Sequence, residues 1–288
     1  MFWNDWMGRL GRPVLGARGV LTLWVGLTVI ACLMMARSSP LLSQESEAAK
    51  PTDTAPARPK EKVPGTAQEL LARVVEAAGG ADQLATMKNL SWISKQVRDP
   101  YGEQRKLHVR ALVIFPDKMR IDYTEPGRRW ASVINGDEAW LSERGTYSDW
   151  SAEEVADFQK AFRLATTQLL IHHKELKVEE LDPVEYKGKR YRLLRVQRLN
   201  LASVDLHIDP DTYQVFHRRM TLPTTRGIVK REEIRKDYRE VEGLMLPFTR
   251  VVYENGKETT RISVMKYWIN GPVKPDSFER PGVPKEKQ

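Results

Sequence analysis

Ser203, Asp205 and His207 alternate along one short stretch, so on a strand their side chains share a face and can touch. A hydroxyl, a carboxylate and an imidazole are the ingredients of acyl transfer. The rest of that machinery is missing from the sequence. No G-x-S-x-G elbow sets a nucleophile on a sharp turn. Val204, Leu206 and Ile208 alternate with the three polar residues and make a better buried face. The polar trio therefore reads as a solvated outer face. His172 and His173 could suggest a metal, but neighbours on a helix point about 100° apart. No cysteine or carboxylate stands at ligand spacing from them, and a helix C-terminus favours histidine by its dipole alone. Neither a phosphate loop nor a dinucleotide fingerprint occurs. The chain thus reads as non-enzymatic, with no cofactor and no metal.

Cys32 is the single cysteine of the 288 residues. It closes Val29-Ile30-Ala31-Cys32, an apolar residue and a small residue before a thiol, the pattern of a lipidation site. The remainder of the chain has no thiol or disulfide chemistry. Basic residues gather at His217-Arg218-Arg219 and at Lys230, Arg231, Arg235, Lys236 and Arg239, interleaved with Glu232, Glu233, Asp237 and Glu240. Such mixing reads as a solvated strand pair, with a headgroup or acidic-partner contact as the alternative. Aromatic residues are not interleaved for base stacking. The net charge of +8 suits an anionic membrane surface, and export argues against nucleic acid.

Three regions organise the chain. Residues 1–44 carry Arg9, Arg12 and Arg18 before the uncharged run Gly19 to Ala36. That run is long enough for the hydrocarbon core of about 30 Å, and the preceding arginines favour an N-terminus kept inside and a C-terminus passed across. It serves equally as a signal peptide, an uncleaved anchor or a lipoprotein leader ending at Cys32. Residues 45–64 are rich in Pro, Ala, Lys and Glu with nothing to bury, a linker. Residues 65–284 form the globular domain, which the 41% hydrophobic content supports. The protein is therefore expected outside the cytoplasm and tethered to a membrane by its N-terminal segment.

Within the domain, Thr66 and Glu69 form a capping box, Leu70, Leu71, Val74, Val75 and Ala78 an apolar stripe, and Gly79-Gly80 a stop. A short helical turn follows over Ala81 to Met87. The period then changes to two. Eleven strand-like runs appear: Leu90–Val97, Arg105–Phe115, Lys118–Tyr123, Trp130–Ile134, Ala139–Ser142, Tyr191–Leu199, Ser203–Ile208, Val215–Leu222, Ile228–Tyr238, Leu246–Glu254 and Thr259–Ile269. Short turns between them predict antiparallel neighbours. One helix, Ser151 to about His173, interrupts the series. Ser151 and Glu154 make its capping box, with Trp150 and Val155 as the hydrophobic staple. Val155, Phe158, Phe162, Ala165 and Leu169 make its stripe.

Pro116-Asp117-Lys118-Met119-Arg120-Ile121-Asp122-Tyr123 and Ile134-Asn135-Gly136-Asp137-Glu138-Ala139-Trp140-Leu141 resemble a stretch of the periplasmic lipoprotein carriers of the LolA/LolB type. So do the turn Ile208-Asp209-Pro210-Asp211-Thr212-Tyr213, the hairpin Gly243-Leu244-Met245-Leu246-Pro247 with Asn255-Gly256-Lys257, and the C-terminal Pro275-Asp276-Ser277-Phe278. The resemblance covers about Glu69 to Pro281. It implies an α+β, mostly β fold: a strongly curved antiparallel sheet of about eleven strands, a half-open barrel, with helices covering its concave side. It also implies a non-enzymatic carrier or acceptor that holds an acyl chain or a lipidated protein. On that reading Met119, Ile121 and Tyr123, which share one strand face, and Phe158, Phe162 and Leu169, on the helix stripe, are the candidate cavity and lid. The alternative is a membrane-tethered regulatory or scaffolding domain of the same fold whose concavity its own side chains fill.

Overall fold

The computed structural model describes residues 65–99, 103–224 and 227–280. The N-terminal segment, the linker and Cys32 lie outside them. Among the described residues no helix is long and apolar enough to cross a membrane.

The chain enters through α1 (Ala67–Ala77), begun by the Thr66–Glu69 capping box, and a short α2 (Ala81–Ala85). Between them the chain turns at Gly79, where φ is +119°. A Cβ there would sit 2.3 Å from the Gly243 carbonyl oxygen, so only glycine lets the helix end approach that turn.

Six strands follow in order: β1 (Asn89–Arg98), β2 (Arg105–Ile114), β3 (Lys118–Glu125), β4 (Arg128–Asn135), β5 (Glu138–Glu143) and β6 (Thr146–Asp149). Two helices come next, α3 (Ala152–Arg163) and α4 (Thr166–Ile171), and a 3-10 turn at His173–Glu175. Seven more strands complete the fold: β7 (Lys177–Tyr186), β8 (Lys189–Gln197), β9 (Val204–Ile208), β10 (Val215–Thr224), β11 (Gly227–Val241), β12 (Leu244–Glu254) and β13 (Lys257–Ile269). All thirteen join one antiparallel sheet in the order β6-β5-β4-β3-β2-β1-β13-β12-β11-β10-β9-β8-β7. Each half is a simple meander, and the β1–β13 pairing joins the halves. β6 and β7 are consecutive in sequence yet occupy opposite edges of the sheet. The segment between them must cross a face to reach from one edge to the other, and that segment is α3–α4.

The helix-bearing face holds two apolar clusters. Val155, Phe158 and Phe162 of α3 pack on β2–β5, including Val109, Met119, Ile121, Tyr123 and Trp130. Leu164, Leu169 and Leu170 pack with α1, α2 and the strands from β8 to β13. On the opposite face Phe278 covers Val133 and Trp140. Arg120 fastens this C-terminal segment by donating to the Ser277 carbonyl at 3.0 Å, and Arg280 pairs with Asp149.

Sequence and structure differ in four places. The sheet has thirteen strands, not eleven. The two additions, β6 and β7, are its edges, and no residue of either is buried. An edge strand has one neighbour and no covered side, so it lacks the apolar alternation that marks a strand in sequence. β7 even carries Pro183, which falls at a register irregularity between Leu181 and Val184.

The expected single helix Ser151–His173 breaks at Leu164–Ala165. Its capping box forms as read, with the Glu154 amide donating to Ser151 Oγ at 3.2 Å and the Ser151 amide donating to Glu154 Oε2 at 2.9 Å. Ala165, however, is extended, at φ −62° and ψ 141°. The stripe is thereby divided, and Leu169 turns into a different cluster from Phe158 and Phe162.

The basic and acidic run is not a solvated pair throughout. Arg219, Lys230, Lys236 and Arg239 are exposed, but His217, Arg218, Glu233 and Arg235 are buried. His207, read as solvated, is only 4% exposed.

Candidate functional site

A cavity of about 140 Å³ lies between α3 and the middle of the sheet. Its helix side is apolar: Phe158, Ala161, Phe162 and Ala165. Spacings of three and four residues put them on one side of the helix. Phe158 and Phe162 stack at a centroid distance of 5.8 Å, and Trp150 meets Phe158 edge-on at 5.9 Å. Met119 and Ile121 of β3 and Val109 of β2 extend this apolar wall, and Trp92 of β1 stands between it and the polar side.

The strand side is different in kind. A row of directly paired residues crosses five strands: Arg98 (β1), Thr260 (β13), Val252 (β12), Glu233 (β11) and Arg218 (β10). All five line the cavity, as do Arg231 and Arg250. Strand alternation explains the placement. Arg218 has the same parity as Met220 and Leu222, and Arg231, Glu233 and Arg235 the same as Val229, all of them buried apolar neighbours.

The polar groups bind one another. Arg218 Nη2 donates to Glu233 Oε2 at 2.9 Å, and its Nη1 donates to the Leu164 carbonyl at 2.8 Å, where α3 ends. Arg235 Nε lies 3.2 Å from Glu233 Oε1 and Arg250 Nη1 lies 3.9 Å from it. Arg231 Nη1 lies 3.7 Å from Glu254 Oε1. Arg98 donates through Nε and Nη2 to Gln96 Oε1 at 2.9 and 2.7 Å, and its guanidinium lies 4.8 Å above the Tyr123 ring.

Burial would raise the Glu233 carboxyl, but Arg235, Arg218, Arg250 and Arg231 outweigh it and hold the group well below the usual carboxylate range. Burial pulls the Arg218 guanidinium down to about 10, against the attraction of Glu233. Arg98 is lowered for the same first cause.

Of the six residues singled out from sequence, the structure brings four together around this cavity: Met119, Ile121, Phe158 and Phe162. Tyr123 is 1% exposed and stands behind the wall, stacked on Trp130 at 5.1 Å. Leu169 is fully buried in the other cluster and does not line the cavity. The polar lining was missed, although the parity of Arg218 with Met220 and Leu222 was available to find it.

Ser203, just before β9, and Asp205 and His207 within it do not assemble into a triad. Asp205 accepts from Arg195 at 2.8 and 3.0 Å. His207 packs edge-on against His217 at 4.6 Å. His172 and His173 contact the Glu175 carboxylate and the Leu170 carbonyl, each at 2.9 Å.

The sequence matches no protein-family model and no curated protein. Among solved structures, a DUF1329 family protein from Desulfovibrio piger shares the fold: 74% of this chain covers 95% of that one, with a TM-score of 0.51 at 12% identity. The chain is also similar to a LolA superfamily protein from Nitrosomonas europaea, with 12% identity, TM-score 0.48, and coverage of 75% of this chain and 98% of that one. A third similarity is to an outer membrane lipoprotein-sorting protein domain from Vibrio parahaemolyticus, with 9% identity, TM-score 0.47, and 74% and 95% coverage. At these identities the likeness is one of fold alone.

Proposed function

We propose that this chain is an extracytoplasmic, non-enzymatic binding domain, a carrier or acceptor that holds an acyl chain of a lipid or lipidated protein and is tethered by its N-terminal segment. The observation that carries the reading is the cavity beneath Phe158 and Phe162, walled by Met119, Ile121 and Trp92. The words "lipoprotein-sorting", applied to the Vibrio parahaemolyticus domain, point the same way. The reversed compartment would remove most of this reading. A phosphatase reporter fused after Pro64 should be active, and a cytoplasmic-only reporter there silent.

One observation favours the alternative of a tethered regulatory or scaffolding domain. A volume of about 140 Å³ is close to that of engineered cavities of about 150 Å³ that admit benzene. It holds roughly six carbon atoms of a chain, and a longer acyl group needs α3 to move outward. Mass spectrometry of an organic extract of the purified protein separates the two. Stoichiometric co-purified amphiphile supports the carrier. A protein free of lipid that also takes up no fluorescent fatty acid is a filled scaffold.

A further inference from the structure

The cavity's strand side has a chemistry that an acyl chain does not use. Arg98, Arg218, Arg231 and Arg250 line it against Glu233 alone. Arg98, Arg218 and Arg235 are buried against Glu233 and Glu254, an excess of one positive charge, and the half-buried Arg231 and Arg250 raise it to three. A cationic excess in a buried site is costly without a counter-charge.

Three donors on the same lining have no hydrogen-bond partner within the protein: Arg250 Nε, Thr260 Oγ1 and Trp92 Nε1. Thr260 is 3% exposed, in direct register with Arg98 on one side and Val252 on the other. The Arg250 guanidinium lies 5.4 Å from the Trp92 ring centre. These groups stand on the neighbouring strands β1, β13 and β12, facing the apolar wall of α3 and β3. Two donors that cannot accept, Arg250 Nε and Trp92 Nε1, stand with a hydroxyl free to donate; together they fit an oxyanion, and guanidinium forks match carboxylate and phosphate oxygens. The opposite wall is made of apolar side chains.

Resting on the carrier reading, we propose that the cavity is a headgroup-first site for a single-chain lipid with an acidic head, carboxylate or phosphate, held by Arg250, Thr260 and Trp92, with its chain along Phe158 and Phe162. The neutral diacylglyceryl group of a lipidated protein is then not the preferred occupant. Arg218 and Glu233 position the site, because Arg218 is already committed to Leu164 and Glu233.

The test uses the full chain held in amphipol and four ligands with one ten-carbon tail: decanoate, decyl phosphate, decanol and decyltrimethylammonium. Apparent Kd values come from the shift of Tm with ligand concentration. Decanoate or decyl phosphate should bind at least about tenfold more tightly than decanol, the scale of one charge-assisted hydrogen bond. The cation should bind more weakly than decanol. Which of the two acids binds better tells a fatty acid from a phosphorylated lipid.

Arg250→Met keeps the apolar stem and should bring the acids to within about threefold of decanol while leaving decanol unchanged. Thr260→Val should weaken the acids alone, and it provides the second variant if Arg250→Met does not fold. Equal binding of acid and alcohol by the wild type overturns the headgroup inference and leaves the carrier reading standing. Failure of all four ligands to shift Tm overturns both.

Discussion

Arg218 of β10 joins two parts of the molecule that are far apart in sequence: its guanidinium donates to the Leu164 carbonyl at the end of α3 and to the Glu233 carboxylate of β11. The carbonyls at a helix end lack partners within the helix, and the negative end of the dipole attracts a cation. One buried side chain thus fixes where α3 stops, and so how far the aromatic wall extends over the sheet.

Removing that guanidinium should unsettle both ends of the link. Arg218→Met leaves the Glu233 carboxylate short of a partner in a buried site, and a loss of about 3–5 kcal/mol is expected. Arg218→Met combined with Glu233→Gln should recover part of it, since the unpaired charge is then gone. Urea denaturation of the single and double variants checks the coupling. Strict additivity would mean that the two residues act independently.

Stability should depend on two histidines in mildly acidic solution. Burial first, and for His207 also the neighbouring His217, lowers both imidazoles from 6.5 to about 4. Asp205 opposes the shift at His207, and Glu233 opposes it at His217. Folded histidines therefore refuse protons that the unfolded chain accepts. Their contribution is complete above about pH 6.5 and is lost as pH falls toward about 4, at up to about 1.4 kcal/mol per pH unit for each histidine. Loss from Glu233 begins only lower, below its unfolded value near 4.5. Urea midpoints measured between pH 7 and pH 4 should fall, and His207→Gln should flatten that decline.

Phe162 and Leu169 were one stripe in the sequence and belong to two environments in the fold. Leu169 is fully buried in close-packed surroundings, so Leu169→Ala should cost about 2–5 kcal/mol. Phe162 borders the cavity, and Phe162→Ala enlarges a space that already exists. It should cost less than the roughly 3–5 kcal/mol of a fully packed phenylalanine, and less than Leu169→Ala in the same denaturant titration. It should also change the retention of a fluorescent fatty acid. Unfolding by Phe162→Ala without any amphiphile binding would show the site to be ordinary core.

Gly79 tests the junction of α1 with the β11–β12 turn. Gly79→Ala combines a positive φ with a Cβ 2.3 Å from the Gly243 carbonyl oxygen and 2.8 Å from Leu244 Cδ2, so the backbone must shift. Gly145→Ala has a positive φ but meets nothing within 4 Å. Thermal melts should show the first variant clearly less stable than the second, whose cost is about 1 kcal/mol from backbone conformation alone.

Eleven strands were legible because each alternates apolar and polar residues between turn signals, as Met119, Ile121 and Tyr123 do in β3, all three on the buried side. Both capping boxes were legible because they depend on residues three apart in the chain. β6 and β7 were not, since their strand state is imposed by a single neighbour and carries no apolar pattern. The length of the central helix was overread, because the stripe from Val155 to Leu169 is regular in sequence. Its break falls where Arg218, on another strand, takes the Leu164 carbonyl.

By itself the sequence determined what local chemistry decides: where strands and helices begin, which face of each strand is apolar, and that Phe158, Phe162, Met119 and Ile121 have apolar faces to bury. Which faces meet was decided by the tertiary structure alone. The β1–β13 pairing brings Arg98 into one row with Thr260, Val252, Glu233 and Arg218. The same pairing, by sending β6 and β7 to opposite edges, draws α3 across that row. A charged residue's cost of burial depends on partners distant in the chain, so a run such as Lys230 to Glu240 looks solvated until the strands beside it are known.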